Sequence, residues 1–275
     1  MGGSVFMPDI RKESLTEKLF HFNDKKITQI KSDWFNSVNS KIVSAGEIKN
    51  KAKEWFLDSK LNTVTNTQDL KTDLTYGCTD FINNFISREK TYQVLENEYS
   101  YYSLFGMKGT PIDQLQPNSI VLVSLPNYNF GNTRPDWDDF TKTCESKNIE
   151  IHIDAAWYTA TKNFGLDISH PNIKSIAFSI TKSGFEWNKF GIRLSKQKTI
   201  DPITVRNHNT NWINQNVINC ADYIFDNIHV DYPWATHINH YNEICDKLNL
   251  DSTNFIHVAK QDGKNVGVAK ILEQY

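Results

Sequence analysis

Residues 173–194 read Ile173-Lys-Ser-Ile-Ala-Phe-Ser179-Ile-Thr-Lys182-Ser-Gly184-Phe-Glu-Trp-Asn-Lys189-Phe-Gly191-Ile-Arg193-Leu194. The first seven residues are a short apolar-rich run with the length and composition of a buried strand. Phe190-Gly-Ile-Arg-Leu194 is a second such run. Between them a Ser-x-x-Lys frame sets Lys182 just beyond a strand end, where layered α/β sheets collect their ligands. A lysine that is partly buried there, beside other cations, loses its proton easily and can attack an aldehyde.

Reading outward, the same alternation recurs upstream. Glu150-Ile-His-Ile-Asp154 is a strand that ends in an acid, followed by Ala-Ala-Trp157. Ser119-Ile-Val-Leu-Val-Ser-Leu125 is apolar on both sides, as a strand in a parallel sheet is. Tyr92-Gln-Val-Leu95 is a further short strand. Trp137, Phe140 and Cys144 mark a helix whose first turn carries Asp136, Asp138 and Asp139, favoured there by the helix dipole. Phe81, Ile82, Phe85 and Ile86 mark another that opens just after Gly77. Strand and helix in alternation predict an α/β fold, three layers deep (αβα) around a mostly parallel sheet.

Both ends of the chain read as helical. Ile27, Ile30, Trp34, Val38 and Ile42 share one helical face, Gly46 breaks it, and Ile48, Ala52 and Phe56 share the next. The polar stretch 62–68 reads as a linker. After Arg206 one face carries Ile213, Val217, Ala221, Ile224 and Ile228, and another Trp234, Ile238, Tyr241 and Leu248. Strand-like pieces follow near Phe255-Ile-His-Val258 and Val266-Gly-Val268. The resulting division is a helical N-terminal segment (1–70), a large ligand-binding domain (71–205) and a reduced C-terminal small domain (206–275).

Composition narrows the function. The chain has 275 residues, 39% of them hydrophobic, enough for a sizeable core. A net charge of −2 gives no electrostatic case for nucleic acid or an anionic membrane. The four cysteines (Cys78, Cys144, Cys220, Cys245) contain no CxxC pair, which speaks against zinc and against a disulfide framework and suits a reducing, cytoplasmic setting. The start, MGGSVFMPDI, lacks the basic and apolar regions of a signal peptide, and no apolar run reaches membrane-span length. His237 and His240 are spaced as partly exposed packing residues, and no metal site is expected. No Ser-His-Asp frame, Walker loop or GxGxxG motif occurs.

From Thr75 to Ser195 the order of these motifs resembles that of the fold-type I enzymes that depend on pyridoxal 5′-phosphate (PLP), the aminotransferase superfamily. The resemblance implies specific roles. Lys182 would be the Schiff-base lysine, which also moves the proton between substrate and cofactor carbons. Asp154 would face the pyridine nitrogen and keep the ring protonated. Asp154-Ala-Ala-Trp157 is similar to the family's Asp-x-Ala-Tyr pattern, with Trp157 in place of a tyrosine that bonds the phenolate oxygen. Gly77-Cys78-Thr79 opens a helix, suited to the cofactor phosphate through backbone N–H groups. Ser179 and Arg193 are the other phosphate candidates. Tyr99 takes the place of the aromatic residue that stacks on the ring, with Tyr101 and Tyr102 as competitors. Asn127 and Asn129, in Pro126-Asn-Tyr-Asn-Phe-Gly131, share the role of the family's cofactor-binding asparagine.

The chain also departs from the family. Arg193 lies farther from the lysine than the family's arginine does, so 185–189 reads as an insertion. The chain is short, and Arg206 is its last arginine, so the usual C-terminal clamp on a substrate carboxylate is lacking. Either Arg11, Arg88, Arg134 or a lysine takes its role, or the substrate is unusual, or the clamp is lost. The resemblance implies a homodimeric aminotransferase acting on a small amino or oxo acid. The alternatives are a PLP-dependent lyase or decarboxylase, or a degenerate, non-catalytic homologue. Thr181 stands where the decarboxylases commonly carry histidine before their lysine.

Overall fold

In the computed structural model, which describes residues 10–11, 15–16, 23–37, 42–86, 92–103, 108–197, 200–208 and 213–275, the apolar runs become neighbouring strands of one sheet. In chain order the first elements are α1 (Lys25–Asn36), α2 (Ala45–Leu57), β1 (Asn62–Thr65), β2 (Lys71–Thr75), α3 (Gly77–Ile86), β3 (Tyr92–Leu95), β4 (Gly109–Thr110) and β5 (Ile120–Ser124). There follow α4 (Trp137–Ser146), β6 (Glu150–Ala155), β7 (Phe164–Asp167), β8 (Ile173–Ser179), β9 (Gly191–Ser195) and α5 (Pro202–His208). The chain closes with α6 (Gln215–Asn227), α7 (Tyr232–Leu248), β10 (Asp251–Ser252), β11 (Val258–Gln261), β12 (Lys264–Gly267) and α8 (Ala269–Leu272).

Among the described residues the main sheet has seven strands in the order β2-β9-β8-β6-β5-β3-β4. β9 runs antiparallel to both its neighbours, and the remaining pairings are parallel. Side chains alternate across the strands, so both faces are apolar. Ile120, Leu122 and Ala177 pack on one face with Cys78, Phe81 and Phe85 of α3. Val121, Val123, Ile176 and Phe178 pack on the other with Phe56 of α2, Phe140 of α4 and Ile224 of α6. This is the three-layer α/β arrangement expected from the sequence. Because β5, β6 and β8 are parallel, their carboxyl ends, at Ser124, Asp154 and Ser179, share one edge of the sheet.

The outer segments join the same packing. One apolar cluster runs through Ile27 and Phe56, Ile153 and Phe178, and Trp234 and Ile271. Ser44 caps α2 with a reciprocal bond to Glu47, which fixes where that helix starts. α1 ends at Asn36, so Ile42 lies outside it and is exposed, while Val38 and Arg88 fall outside the described residues. The stretch read as a linker holds β1, which pairs in parallel with β7, Asn62 opposite Phe164. Its Thr-Val-Thr core was the strand signal, masked by its polar flanks. His237 is buried rather than half exposed; its Nε2 lies 2.6 Å from Asp24 Oδ2, which ties α7 to the cap of α1. Among the described residues no helix is long and apolar enough to cross a membrane.

Candidate active site

At the carboxyl edge of the sheet lies a cavity of about 540 Å³, a volume typical of small-molecule sites, which span roughly 300–1,000 Å³. Lys182 reaches it from a one-turn 3-10 helix, Thr181–Ser183, directly after β8. Gly184 ends that turn at φ +93°, a conformation that other residues rarely adopt. The Lys182 carbonyl accepts from His257 Nε2 at 2.8 Å, which pins the turn. Its Nζ stands 4.2 Å from the centre of the Trp157 ring. Burial pushes the Lys182 pKa down to about 8; the Asp154 carboxylate opposes that shift and the charge of Lys189 adds to it.

Asp154 enters the same cavity from the end of β6. Its Oδ2 accepts from Tyr102 Oη at 2.8 Å and its Oδ1 from the Ala156 N–H at 2.9 Å. Burial nevertheless raises its pKa, against the lowering effects of Tyr102, Cys78, Ala156 and Lys182. Behind Tyr102 the polar file continues. Tyr102 Oη lies 2.8 Å from Ser124 Oγ, and the Ser124 N–H donates to Glu98 Oε2 at 2.9 Å. Arg134 Nη1 donates to Glu98 Oε1 at 3.3 Å. Burial still lifts the Glu98 carboxyl to about 7.

Most of the residues singled out in the sequence meet here. Gly77, Cys78 and Thr79 line one end of the cavity with Ser179, and Tyr99, Asn127 and Trp157 line other walls. Gly77 sits at φ +71°, and a Cβ there would come within 3.3 Å of Ser179 Oγ, so the glycine keeps that corner open. The structure separates the three tyrosines. Tyr99 faces the cavity, Tyr101 donates to Asn83 Oδ1, and Tyr102 is fully buried against Asp154. Of the two asparagines, Asn127 lines the cavity, and the Asn129 side chain turns away to donate to the Asn97 carbonyl at 3.1 Å.

Arg193 is the clear departure from the sequence reading. It lies in mid-strand on β9, opposite Asp73 and Ala177, and does not line the cavity. Its guanidinium is buried against Asp73, at 2.6 Å, Asp201 and Thr204. Alternation along the strand decides this. Ile192 and Leu194 face the main core, so Arg193 must face the α3–α5 side, where two carboxylates neutralise it. Of the proposed carboxylate clamps, Arg134 is held by Glu98 and Asp136, and neither it nor Arg11 lines the cavity. Sequence reasoning missed Tyr76, Ser124, Tyr128, Thr181 and Lys189, all of which line it. Thr181 and Lys189 lay within the quoted stretch; the others gave no signal of their own.

The donor set suits PLP. A lysine with a depressed pKa, a buried acid that a cationic ring nitrogen would neutralise, and a glycine-bordered helix start surround one cavity of suitable size. Solved structures are similar to this chain in fold. The PLP-bound C-S lyase from Staphylococcus hominis aligns with TM-score 0.60 and 8% identity over 86% of this chain and 72% of that one. This chain shares the fold of these PLP-transferase-like neighbours. The histidinol-phosphate aminotransferase from Clostridium acetobutylicum aligns with TM-score 0.53 and 15% identity, covering 87% of this chain and 81% of that one. The L-threonine-O-3-phosphate decarboxylase from Porphyromonas gingivalis aligns with TM-score 0.55 and 10% identity, covering 86% and 79%. No family model matches the chain, and no curated protein matches it in sequence. The fold-type I likeness is thus one of backbone architecture, and the chemistry of the site has to be argued from its own residues.

Proposed function

We propose that the chain is a PLP-dependent enzyme, and within that class an aminotransferase acting on an amino acid or a related amine. One observation carries the reading: Lys182 and Asp154, from the ends of two different strands, open onto one cavity. The chemistry PLP supplies when bound is an aldehyde for an amine to join and a protonated ring that draws electrons from the substrate carbon.

The residues then divide the work. Lys182 Nζ, kept near pKa 8 by burial, is deprotonated in a substantial fraction of molecules at mildly alkaline pH. It would therefore be available to join the aldehyde and, once displaced by substrate, to take a proton from the substrate carbon and deliver it to the cofactor carbon. Asp154, fixed by Tyr102 and the Ala156 N–H, holds the proton on the ring nitrogen. Trp157 and Tyr128, 5.4 Å apart between ring centres, screen the lysine from water. Tyr99 offers a ring face to stack on the cofactor, and Asn127 an amide for its phenolate oxygen. The start of α3 and Ser179 receive the phosphate. A homodimer belongs to the same reading.

Borohydride reduction of the purified protein with PLP, followed by peptide mapping, tests the site. A reduced adduct on Lys182 is expected, and an adduct elsewhere, or none, refutes it. Adding an amino acid and then an oxo acid tests the reaction. Conversion of the cofactor to its amine form and back supports transamination. Loss of a β-substituent or of carbon dioxide without that conversion assigns a lyase or a decarboxylase instead.

A further inference from the structure

We propose that Lys189, and not Arg193, is the cationic anchor of the cofactor phosphate. The inference rests on the PLP reading and adds to it the group that selects the phosphorylated form of the vitamin. Among the described residues that line the cavity, the charged side chains are Asp154, Lys182 and Lys189. Asp154 is assigned to the ring nitrogen and Lys182 to the aldehyde, so Lys189 is the cation available to a dianionic phosphate.

Strand pairing puts Lys189 at the correct end. Gly191, two residues on, pairs with Thr75 on β2 and with Ser179 on β8. The approach is so close that a Cβ on Gly191 would lie 2.4 Å from the Phe178 carbonyl oxygen and 3.0 Å from the Gly77 Cα. The Phe190 carbonyl, next to Lys189, accepts from Ser179 Oγ at 3.4 Å and from the Ile180 N–H at 3.2 Å. The main chain of 189–191 therefore runs alongside Gly77 and Ser179, the helix start and the hydroxyl assigned to the phosphate. Lys189 is exposed and lines the cavity.

The two arginines nearby are committed elsewhere. Arg193 is enclosed by Asp73 and Asp201. Arg206 pairs with Asp80 and lies 4.9 Å from the Tyr76 ring centre. The segment 185–189, which reads as an insertion in the sequence, thus supplies a replacement cation from a flexible side chain. A lysine serves as a point charge for phosphate, without the bidentate geometry of arginine.

The test compares PLP with pyridoxal, the same aldehyde without the phosphate. Dissociation constants of both are measured by absorbance titration for the parent protein, Lys189→Met and Lys189→Arg. Loss of one charge-assisted contact should weaken PLP binding about 10- to 100-fold in Lys189→Met, with pyridoxal unchanged within about twofold. Lys189→Arg should keep the parent's preference for PLP. The proposal is overturned if Lys189→Met binds PLP within about twofold of the parent, or if both ligands weaken together. Borohydride mapping of Lys189→Met at saturating PLP separates this from the broader reading. An adduct retained on Lys182 with unchanged PLP affinity rejects the role of Lys189 alone, and no adduct on the parent protein rejects both.

Discussion

Replacing Lys182 by methionine should stabilise the apoprotein near neutral pH, and the gain should fade in alkali. The fold lowers the lysine from 10.5 to about 8, mainly by burial. Each pKa unit corresponds to about 1.4 kcal/mol, so the ammonium is disfavoured in the native state by a ceiling of about 3 kcal/mol. The sign follows from proton counting. At pH 7 both native and unfolded chains carry the proton, and the native chain bears the full penalty. Between about 8 and 10.5 the unfolded chain keeps a proton that the native chain has released, so the parent gains stability as pH rises. Methionine has a similar length and no charge, so the variant lacks this dependence. Lys182 retains some surface, which reduces the expected difference to about 2 kcal/mol. The assay is urea unfolding of both apoproteins, followed by tryptophan fluorescence, at pH 7 and pH 10. The advantage of Lys182→Met over the parent should be about 2 kcal/mol larger at pH 7. An advantage that is equal at the two pH values, or larger at pH 10, would refute the buried-amine reasoning. It would also remove the physical basis for an easily deprotonated nucleophile.

Three further outcomes are expected. Tyr102→Phe removes the donor to Asp154 and should cost about 1.5–3 kcal/mol of stability at pH 7, read by urea midpoint, because the bond is to a charged group. Glu98→Gln should gain stability relative to the parent by up to about 3 kcal/mol between pH 4.5 and pH 8. The reason is that the native Glu98 carboxyl holds its proton up to about 7 while the unfolded one releases it near 4.5, so the parent loses this contribution as pH rises. A parent-minus-variant difference that is flat across that range would contradict this. Arg193→Ala leaves Asp73 and Asp201 buried without their partner and should destabilise the fold by about 3–5 kcal/mol at pH 7. PLP affinity of the folded fraction should be unchanged, and weakened binding would return Arg193 to the phosphate site.

What the sequence determined by itself was local. Period-two and period-three-to-four patterns located most of the strands and helices, because each such pattern directly reports which side of an element is buried. The apolar runs at 119–125, 150–154 and 173–179 became β5, β6 and β8, and Gly77 opened α3 as expected. Lys182 and Asp154 were legible as candidates as well, since Asp154 lies at the end of one recognisable strand and Lys182 just beyond another. Where sequence reading failed, the deciding interaction was distant in the chain. The stretch 62–65 became a strand only because Phe164–Asp167 lies beside it. The choice among Tyr99, Tyr101 and Tyr102 was open in the sequence; folding left Tyr99 at the cavity and buried Tyr102 against Asp154. Arg193 was read as a phosphate candidate from the motif alone, and Lys189, four positions earlier, was not. The register of β9 between β2 and β8 turned the arginine toward two buried aspartates and brought the main chain of 189–191 beside Gly77 and Ser179. Registers and side-chain directions of that kind depend on which strands pair, and pairing is a property of the whole packed sheet.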